Sequence, residues 1–392
     1  MKKSRKLLCM LLALVMVVSL LPVMAFAADE DIAAEEVVPA SVEEISPETA
    51  GIITDVFAKL PNYLVVVKTP WGMLAKGAQV VLYNQNSNTI VASEIATYGV
   101  AVFTKDQRQN AYTMSATWTQ KETGLTFKSA PRISVGKTLD MDVITVHPTF
   151  RIGLKDTDHN AYISGYPDGL VRPNNTLTRA EAAQIIFELM TDESKAQYAK
   201  KTGKTFIDVG KDHWAYEAIT MMTKANVLVG MGDGRFDPNA VMTREQFATM
   251  IAQLFMIEIN QPIGGFIFKD LNGGFADKYI SFLYMLGILE GKGDNMFGPK
   301  DSLTRAQAIT VVNKLIGRLP GEGTTSFGAV ADQMKTWPDN MDTTAWYYAA
   351  IQEATNSHDY TLDVNFNTFG DLKGDIFQNI KHPVTERWTL IR

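Results

Sequence analysis

Apolar and polar residues follow two different periods along this chain. Between residues 60 and 147 the apolar runs are short, at 64–67, 80–83, 89–95, 100–104, 112–118 and 139–146. Turn-rich stretches such as Asn84-Gln85-Asn86-Ser87-Asn88 separate them. Short runs of this kind at regular spacing predict the strands of a β-sandwich. Beyond residue 150 the period lengthens. After Arg179 come Ala182, Ile185, Ile186 and Leu189; after Arg244 come Phe247, Met250, Ile251 and Leu254; after Arg305 come Ala308, Val311, Val312 and Leu315. This is the apolar stripe of an amphipathic helix. A second stripe has the offsets i, i+4, i+5, i+8. It reads Trp214, Ala218, Ile219, Met222, then Phe275, Tyr279, Ile280, Leu283, then Trp346, Ala350, Ile351, Ala354. The same rule makes each of these the buried face of a helix.

The helical part is an internal repeat. Gly165-Tyr166-Pro167-Asp168-Gly169 precedes Pro173 and Thr178-Arg179-Ala180-Glu181. Gly230-Met231-Gly232-Asp233-Gly234 precedes Pro238 and Thr243-Arg244-Glu245-Gln246. Gly291-Lys292-Gly293-Asp294-Asn295 precedes Pro299 and Thr304-Arg305-Ala306-Gln307. From glycine to proline is eight residues and from glycine to arginine fourteen, in all three copies. The glycines predict a tight turn. Thr178, Thr243 and Thr304, each followed three residues later by Glu or Gln, predict a capping box at a helix start. Copies two and three have a head, Phe206-Ile207-Asp208 and Phe268-Lys269-Asp270, ahead of the second stripe. Copy one has none, but Trp337-Pro338-Asp339 ahead of Trp346 matches. The order is tail, head-tail, head-tail, head. The C-terminal head is therefore expected to complete the first copy and close a three-fold ring.

The N-terminus changes the setting. Lys2, Lys3, Arg5 and Lys6, an apolar run from 7 to 21 and Ala25-Phe26-Ala27 form a secretory leader, residues 1–27. Its apolar run is shorter than the roughly 20 residues of a membrane span. The single cysteine, Cys9, lies within it, so the mature chain has no thiol for disulfides or metal. Residues 28–55 are acidic and read as a solvated linker. The expected order is then a β-sandwich at 56–148 and three repeats within 149–358. These fall at about 149–200, 205–260 and 267–317, with the closing head at 336–358 and a tail at 359–392. The fold class is α+β and multidomain, an Ig-like β-sandwich followed by an all-α, pseudo-three-fold helical domain. The formal net charge is −6 and becomes more negative once the basic leader is removed. That argues against nucleic acid as a partner, and no membrane contact is expected after cleavage.

The pattern Phe206 to Asp208, His213-Trp214-Ala215, Ala218-Ile219, Gly165 to Gly169, Arg172-Pro173-Asn174 and Thr178 to Glu181 resembles that of S-layer homology modules, over about residues 155–355. The resemblance implies a cell-wall anchor that binds a secondary cell-wall polysaccharide, often pyruvylated, in grooves between neighbouring modules. Pro70-Trp71-Gly72 through Val80-Val81-Leu82-Tyr83, with Gly99-Val100-Ala101-Val102-Phe103, resembles transthyretin-like, carboxypeptidase-regulatory or collagen-adhesin B-type domains.

The candidate polymer-binding residues follow from the repeat. Arg179, Arg244 and Arg305 stand at helix starts, where a cation opposes the helix dipole. With the free backbone N–H groups they form an anion site suited to a carboxylate. The other reading is a structural salt bridge to Asp168, Asp233 or Asp294. Gly165, Gly230 and Gly291 either let backbone approach a ligand or shape the turn. Arg172 is placed beside them. Trp214 and Trp346 either stack on a sugar or belong to the core. The copies are unequal, since Tyr166 and Glu181 occur only in the first, and the Arg179 groove is the first expected to bind. No catalytic motif is present, and His147, His159, His213, His358 and His382 lack metal-ligand spacing. Asp156-Thr157-Asp158 near Asn160 lacks the later glutamate of a calcium loop. No cofactor and no metal are expected. The chain reads as a non-catalytic, secreted, extracellular cell-wall or S-layer protein. The alternative is an adhesin-like surface module whose β-domain binds a protein partner.

Overall fold

The computed structural model describes residues 62–364 and 384–391, apart from short stretches at 85, 98, 122, 131, 138–140, 157, 256–258, 260–266, 319, 321–323, 325 and 329. The leader, the acidic linker, His382 and the tail residues Phe366, Phe369 and Phe377 lie outside the described residues. The fold is mixed α+β.

The strand-period region forms two sheets. In the first, β1 (Asn62–Lys68) lies between β4 (Val100–Thr104), antiparallel, and β8 (Met141–Thr145), parallel. The second runs β3 (Ile90–Ala96), β2 (Ala78–Tyr83), β5 (Thr113–Thr119), β6 (Thr126–Lys128), β9 (His147–Pro148), with β7 (Ile133–Ser134) paired to β5. Alternate residues turn inward, as the pleat requires. Tyr63, Val65, Val67, Val80, Leu82, Met114, Ala116 and Phe127 are buried. The period-two pattern locates the long strands. It does not reveal β6, β7 and β9, which are two or three residues long, nor the single-turn-and-a-half helix α1 (Lys105–Asn110).

The tail helices are α2 (Arg179–Leu189), α5 (Arg244–Ala252) and α7 (Arg305–Leu315). Each starts with the same capping box. The hydroxyls of Thr178, Thr243 and Thr304 accept the N–H of Glu181, Gln246 and Gln307, whose side chains accept the threonine N–H in return. The head helices are α4 (Tyr216–Lys224), α6 (Asp277–Met285) and α8 (Tyr348–Thr355). Each tail helix packs on the next head helix in sequence, α2 on α4, α5 on α6 and α7 on α8. Copy one adds α3 (Asp192–Ala199), capped by Thr191. The tail strands β10 (His358–Val364) and β11 (Val384–Ile391) pair antiparallel, and Trp388 is buried against Phe327 and His358.

Each head grips a turn through its aspartate. Asp208 accepts the N–H groups of Phe236 and Asp237 at 2.9 and 2.7 Å, and Asp270 those of Phe297 and Gly298 at 2.9 and 2.7 Å. Asp339, from the C-terminal head, accepts Val171 and Arg172 of copy one at 3.0 and 2.7 Å. The amides of Tyr162 and Ile163 also bond to the Ala354 carbonyl. The copies join by bridges Thr178–Val241, Thr243–Ser302 and Thr176–Thr304, which run around all three in turn.

The β-region and the helical region share a packed boundary. Phe150 bridges to Phe255, and Trp71 and Pro70 lie against Gly287 and Gly317.

Candidate functional site

The repeated glycines are needed beneath the head aromatics. Gly165, Gly230 and Gly291 do not have left-handed backbone. A Cβ on Gly230 would sit 2.5 Å from Phe206 Cε1, one on Gly291 2.6 Å from Phe268 Cε1, and one on Gly165 2.0 Å from Trp337 Cζ3. Their smallness lets each head ring lie flat on its turn. Left-handed positions come four residues later, at Gly169 (φ 80), Gly234 (φ 87) and Asn295 (φ 57), and seven residues later, at Arg172 (φ 53), Asp237 (φ 63) and Gly298 (φ 71). At the latter positions the head aspartate holds the amide.

The three arginines are the seam between copies. Arg179 is 6% exposed; its Nε donates to the Phe236 carbonyl at 2.9 Å and its Nη2 to the Val229 carbonyl at 2.7 Å. Arg244 repeats this on Phe297 (2.8 Å) and Glu290 (3.1 Å). Arg305 donates from Nε to the Val171 carbonyl at 3.1 Å. Each guanidinium also lies over a ring of the next copy, at 4.5 Å for Phe236, 4.4 Å for Phe297 and 4.8 Å for Tyr166. Burial lowers the affinity of Arg179 and Arg244 for their protons, as desolvation of a cation does.

The turn aspartates take other partners. Asp168 pairs with Arg172 at 2.6 Å and Asp233 with Arg235 at 2.8 Å, both exposed, while Asp294 is exposed in a left-handed turn. The hydrogen bond from each partner arginine holds the Asp168 and Asp233 carboxyls below the usual range. Arg172 and Arg235 thus do the same work, although Arg172 aligns with Asp237 in the repeat.

Trp214 and Trp346 are 61% and 63% exposed, and Phe275, at the matching place, is 58% exposed. The stripe that put them in the core is out of phase there. Each head helix begins two residues later, at Tyr216, Asp277 and Tyr348, so these rings sit on the preceding turn. Ala218, Ile219, Met222, Ile280, Leu283, Ile351 and Ala354 are buried as the stripe predicts. Phe275, which the stripe assigns to the core, is exposed like the two tryptophans. The three-fold offsets carried that signal.

Two of the exposed rings are tied to a junction between copies. Lys300 lies 5.9 Å over the Phe275 ring and pairs with Glu245 at 2.6 Å, and Glu245 directly follows Arg244. Asn174, at the position of Lys300, donates to the Tyr347 hydroxyl at 3.2 Å, and Tyr347 packs edge-on against Trp346. The amides after the arginines, Ala180, Glu245 and Ala306, donate to the carbonyls of Pro238, Pro299 and Pro173. By the repeat, Trp214 and Asn239 hold the matching places beside Arg179–Ala180 at the first junction. The second has Arg244–Glu245, Phe275 and Lys300, and the third Arg305–Ala306, Trp346 and Asn174.

The junctions differ in charge. In the third, Arg305 Nη1 lies 3.3 Å from Glu181 Oε1, which also accepts the Tyr166 hydroxyl. Burial first, then that carboxylate, push the Tyr166 hydroxyl up to about 12. Tyr166 and Glu181 thus belong with Arg305, not with Arg179. The second junction contains the Glu245–Lys300 pair. Among the described residues, Arg179 has no carboxylate within ion-pair distance, although the charges of Asp237 and Asp208 act on it from further away.

Residues 158–183, 205–248 and 267–309 match the S-layer homology domain. The chain carries three S-layer homology segments. The match ends before the C-terminal head, which the repeat offsets and the fold reveal instead. A cellulosome-anchoring protein of Acetivibrio thermocellus is 34% identical over 213 residues, 53% of this chain and 45% of that protein. Endo-1,4-beta-xylanase A of Thermoanaerobacterium saccharolyticum is 39% identical over 116 residues, 29% of this chain and 10% of the enzyme. The S-layer protein sap of Bacillus anthracis is 30% identical over 128 residues, 32% of this chain and 16% of that protein. The chain thus spans less than half the length of these curated relatives. No helix among the described residues is long and apolar enough to cross a membrane.

Proposed function

We propose that this protein is held at the bacterial cell surface by its S-layer homology ring, which binds an anionic secondary cell-wall polymer at the junctions between copies. The observation that carries this reading is the exposed aromatic ring repeated at one place in all three copies, which Lys300 ties to the second junction and Tyr347 with Asn174 to the third. A sugar face stacks on such a ring, and a carboxylate on that sugar is drawn by the guanidinium charge alone, because the helix-start amides expected to be free, those of Arg179 and Ala180, already donate to the Ala240 and Pro238 carbonyls. Arg179 and Trp214 form the strongest site, because Glu181 already occupies Arg305 and Lys300 already occupies Glu245. The turn residues Arg172, Asp168, Asp233 and Asp294, with Gly165, Gly230 and Gly291, shape the junctions.

The module is portable and non-catalytic in this reading. Proteins named for anchoring, for the S-layer and for xylan cleavage share a stretch with this chain. A catalytic unit common to all three would not carry such different names. The intended arrangement is a leader at 1–27, a linker at 28–55, an Ig-like β-sandwich at 56–148 displayed outward, and an all-α anchor at 149–358 with the head at 336–358 as its closing piece. A second role, binding a protein through the β-region, draws support from edge strand β3, where Ile90 and Ile95 are largely exposed.

The test is calorimetric titration of the mature chain with soluble wall-polymer fragments, before and after chemical removal of their carboxylates. Binding that needs the carboxylate, and that Trp214→Ala weakens more than Phe275→Ala does, supports the reading. Equal binding to the neutral fragments overturns it.

A further inference from the structure

A buried cluster outside the junctions lies where the C-terminal head meets copy one. His159, Glu353 and His358 are 2%, 0% and 0% exposed. They come from the extended segment that enters copy one, from α8 and from the first residue of β10. His159 Nδ1 is 3.0 Å from His358 Nε2 and 3.1 Å from Glu353 Oε1, and His358 Nε2 is 3.3 Å from Glu353 Oε2. One donor atom from each residue falls within a sphere that a metal ion could fill. We propose that this cluster is a binding site for a divalent transition-metal ion of the zinc class, which staples the closure of the ring.

The tautomer is fixed from outside. His358 Nδ1 lies 3.0 Å from the Asn356 carbonyl, which can only accept, so Nδ1 carries the proton and Nε2 turns its lone pair inward. Hydrogen bonding of the far nitrogen to a backbone carbonyl is how metal-binding histidines are oriented. The rings are clamped as well. His159 stacks on Tyr360 at 3.9 Å and His358 on Trp388 at 3.7 Å. That lone pair then faces a carboxylate oxygen and a second imidazole nitrogen, a set of donor atoms that a metal ion, or a proton on His159 Nδ1, would hold together. A tetrahedral ion with donors at about 2.0–2.1 Å holds them about 3.3 Å apart, and one donor atom from each residue already lies within 4.8 Å of the others, so a small turn of the Glu353 carboxylate completes the set. Two imidazoles and one carboxylate suit zinc over magnesium or calcium, which take oxygen ligands. Arg318 Nη1 lies 3.9 Å from Glu353 Oε1, but its Nη atoms also donate to the carbonyls of Asp158 and Asn160 at 2.8 Å. Those carbonyls line the loop that resembled a calcium site, and Arg318 takes the place of a cation there.

The inference is independent of wall binding. Its test uses the untagged mature chain, stripped with chelator and titrated with Zn²⁺, with Co²⁺ as a spectroscopic probe. One tightly held ion per chain, a visible Co²⁺ absorption band of tetrahedral type and a higher unfolding temperature with Zn²⁺ are expected. Glu353→Gln and His358→Gln should each weaken uptake by about 10-fold or more, while His147→Gln, at the surface, leaves it unchanged. Circular dichroism of the metal-free variants establishes that they are folded, and the wild-type Co²⁺ spectrum stands without them. The proposal is overturned if the wild-type chain retains no ion, which would leave an extra proton as the cation, or if uptake survives Glu353→Gln and is lost in His147→Gln.

Discussion

Replacing Asp339 by alanine tests whether the C-terminal head belongs to the first copy. The Asp339 carboxylate accepts two backbone N–H groups, from Val171 at 3.0 Å and Arg172 at 2.7 Å. Val171 is fully buried, and Arg172 is held in a left-handed conformation by this grip. Alanine strands both amides. A buried donor left unsatisfied costs about 1–3 kcal/mol, so the pair should cost about 2–6 kcal/mol. Against a typical domain stability of about 5–15 kcal/mol, that is a large share. Denaturant unfolding of the mature chain, followed by tryptophan fluorescence, reads the loss as a lower midpoint at unchanged slope. Hydrogen exchange at residues 171 and 172 should accelerate in parallel. Asp208→Ala should cost a similar amount, since Phe236 and Asp237 lose equivalent bonds. If Asp208→Ala lowers the midpoint and Asp339→Ala leaves both the midpoint and exchange at 171–172 unchanged, the ring closure is wrong.

Arg179→Lys keeps the charge but loses the fork that reaches two carbonyls and the Phe236 ring; it should cost about 2–4 kcal/mol, from roughly 1.5–3 per charged hydrogen bond partly replaced, as measured by chemical denaturation. Gly230→Ala places a Cβ 2.5 Å from Phe206 Cε1 and 2.8 Å from the Arg235 carbonyl, and overpacking of this kind should cost about 1–3 kcal/mol and lower the unfolding temperature. Acid should loosen the heads. Partial burial works to raise the Asp208 and Asp270 carboxyls, but the two amides each accepts outweigh it and hold both below the usual range. Their contribution is complete above the ordinary carboxylate pKa of about 4 and drains as pH falls through the depressed values; Asp208→Asn should flatten stability against pH in that window, read by unfolding at several pH values.

The sequence pattern carries most of the ring. The capping boxes, the glycine spacing and the helix stripes each have a local cause, so they leave a local trace. Partners that are backbone atoms leave none. The arginines bond to the carbonyls of Val229, Phe236, Phe297 and Val171, and no residue type at those positions announces it. Trp214, Phe275 and Trp346 fit the helix period by number but precede the first helical turn, so the same offsets put them in solvent. His159 and His358 stand 199 residues apart, a distance at which ligand spacing has no meaning. Trp388, far along the tail, finds its partners in Phe327 and His358 for the same reason.

Co-sedimentation of the mature chain with purified cell walls, with and without their non-peptidoglycan polymer, bears most directly on the anchor. Retention on intact walls, its loss when the polymer is extracted, and its weakening in Trp214→Ala are the predicted results. Equal retention on walls stripped of polymer, or none on walls that carry it, would contradict the account.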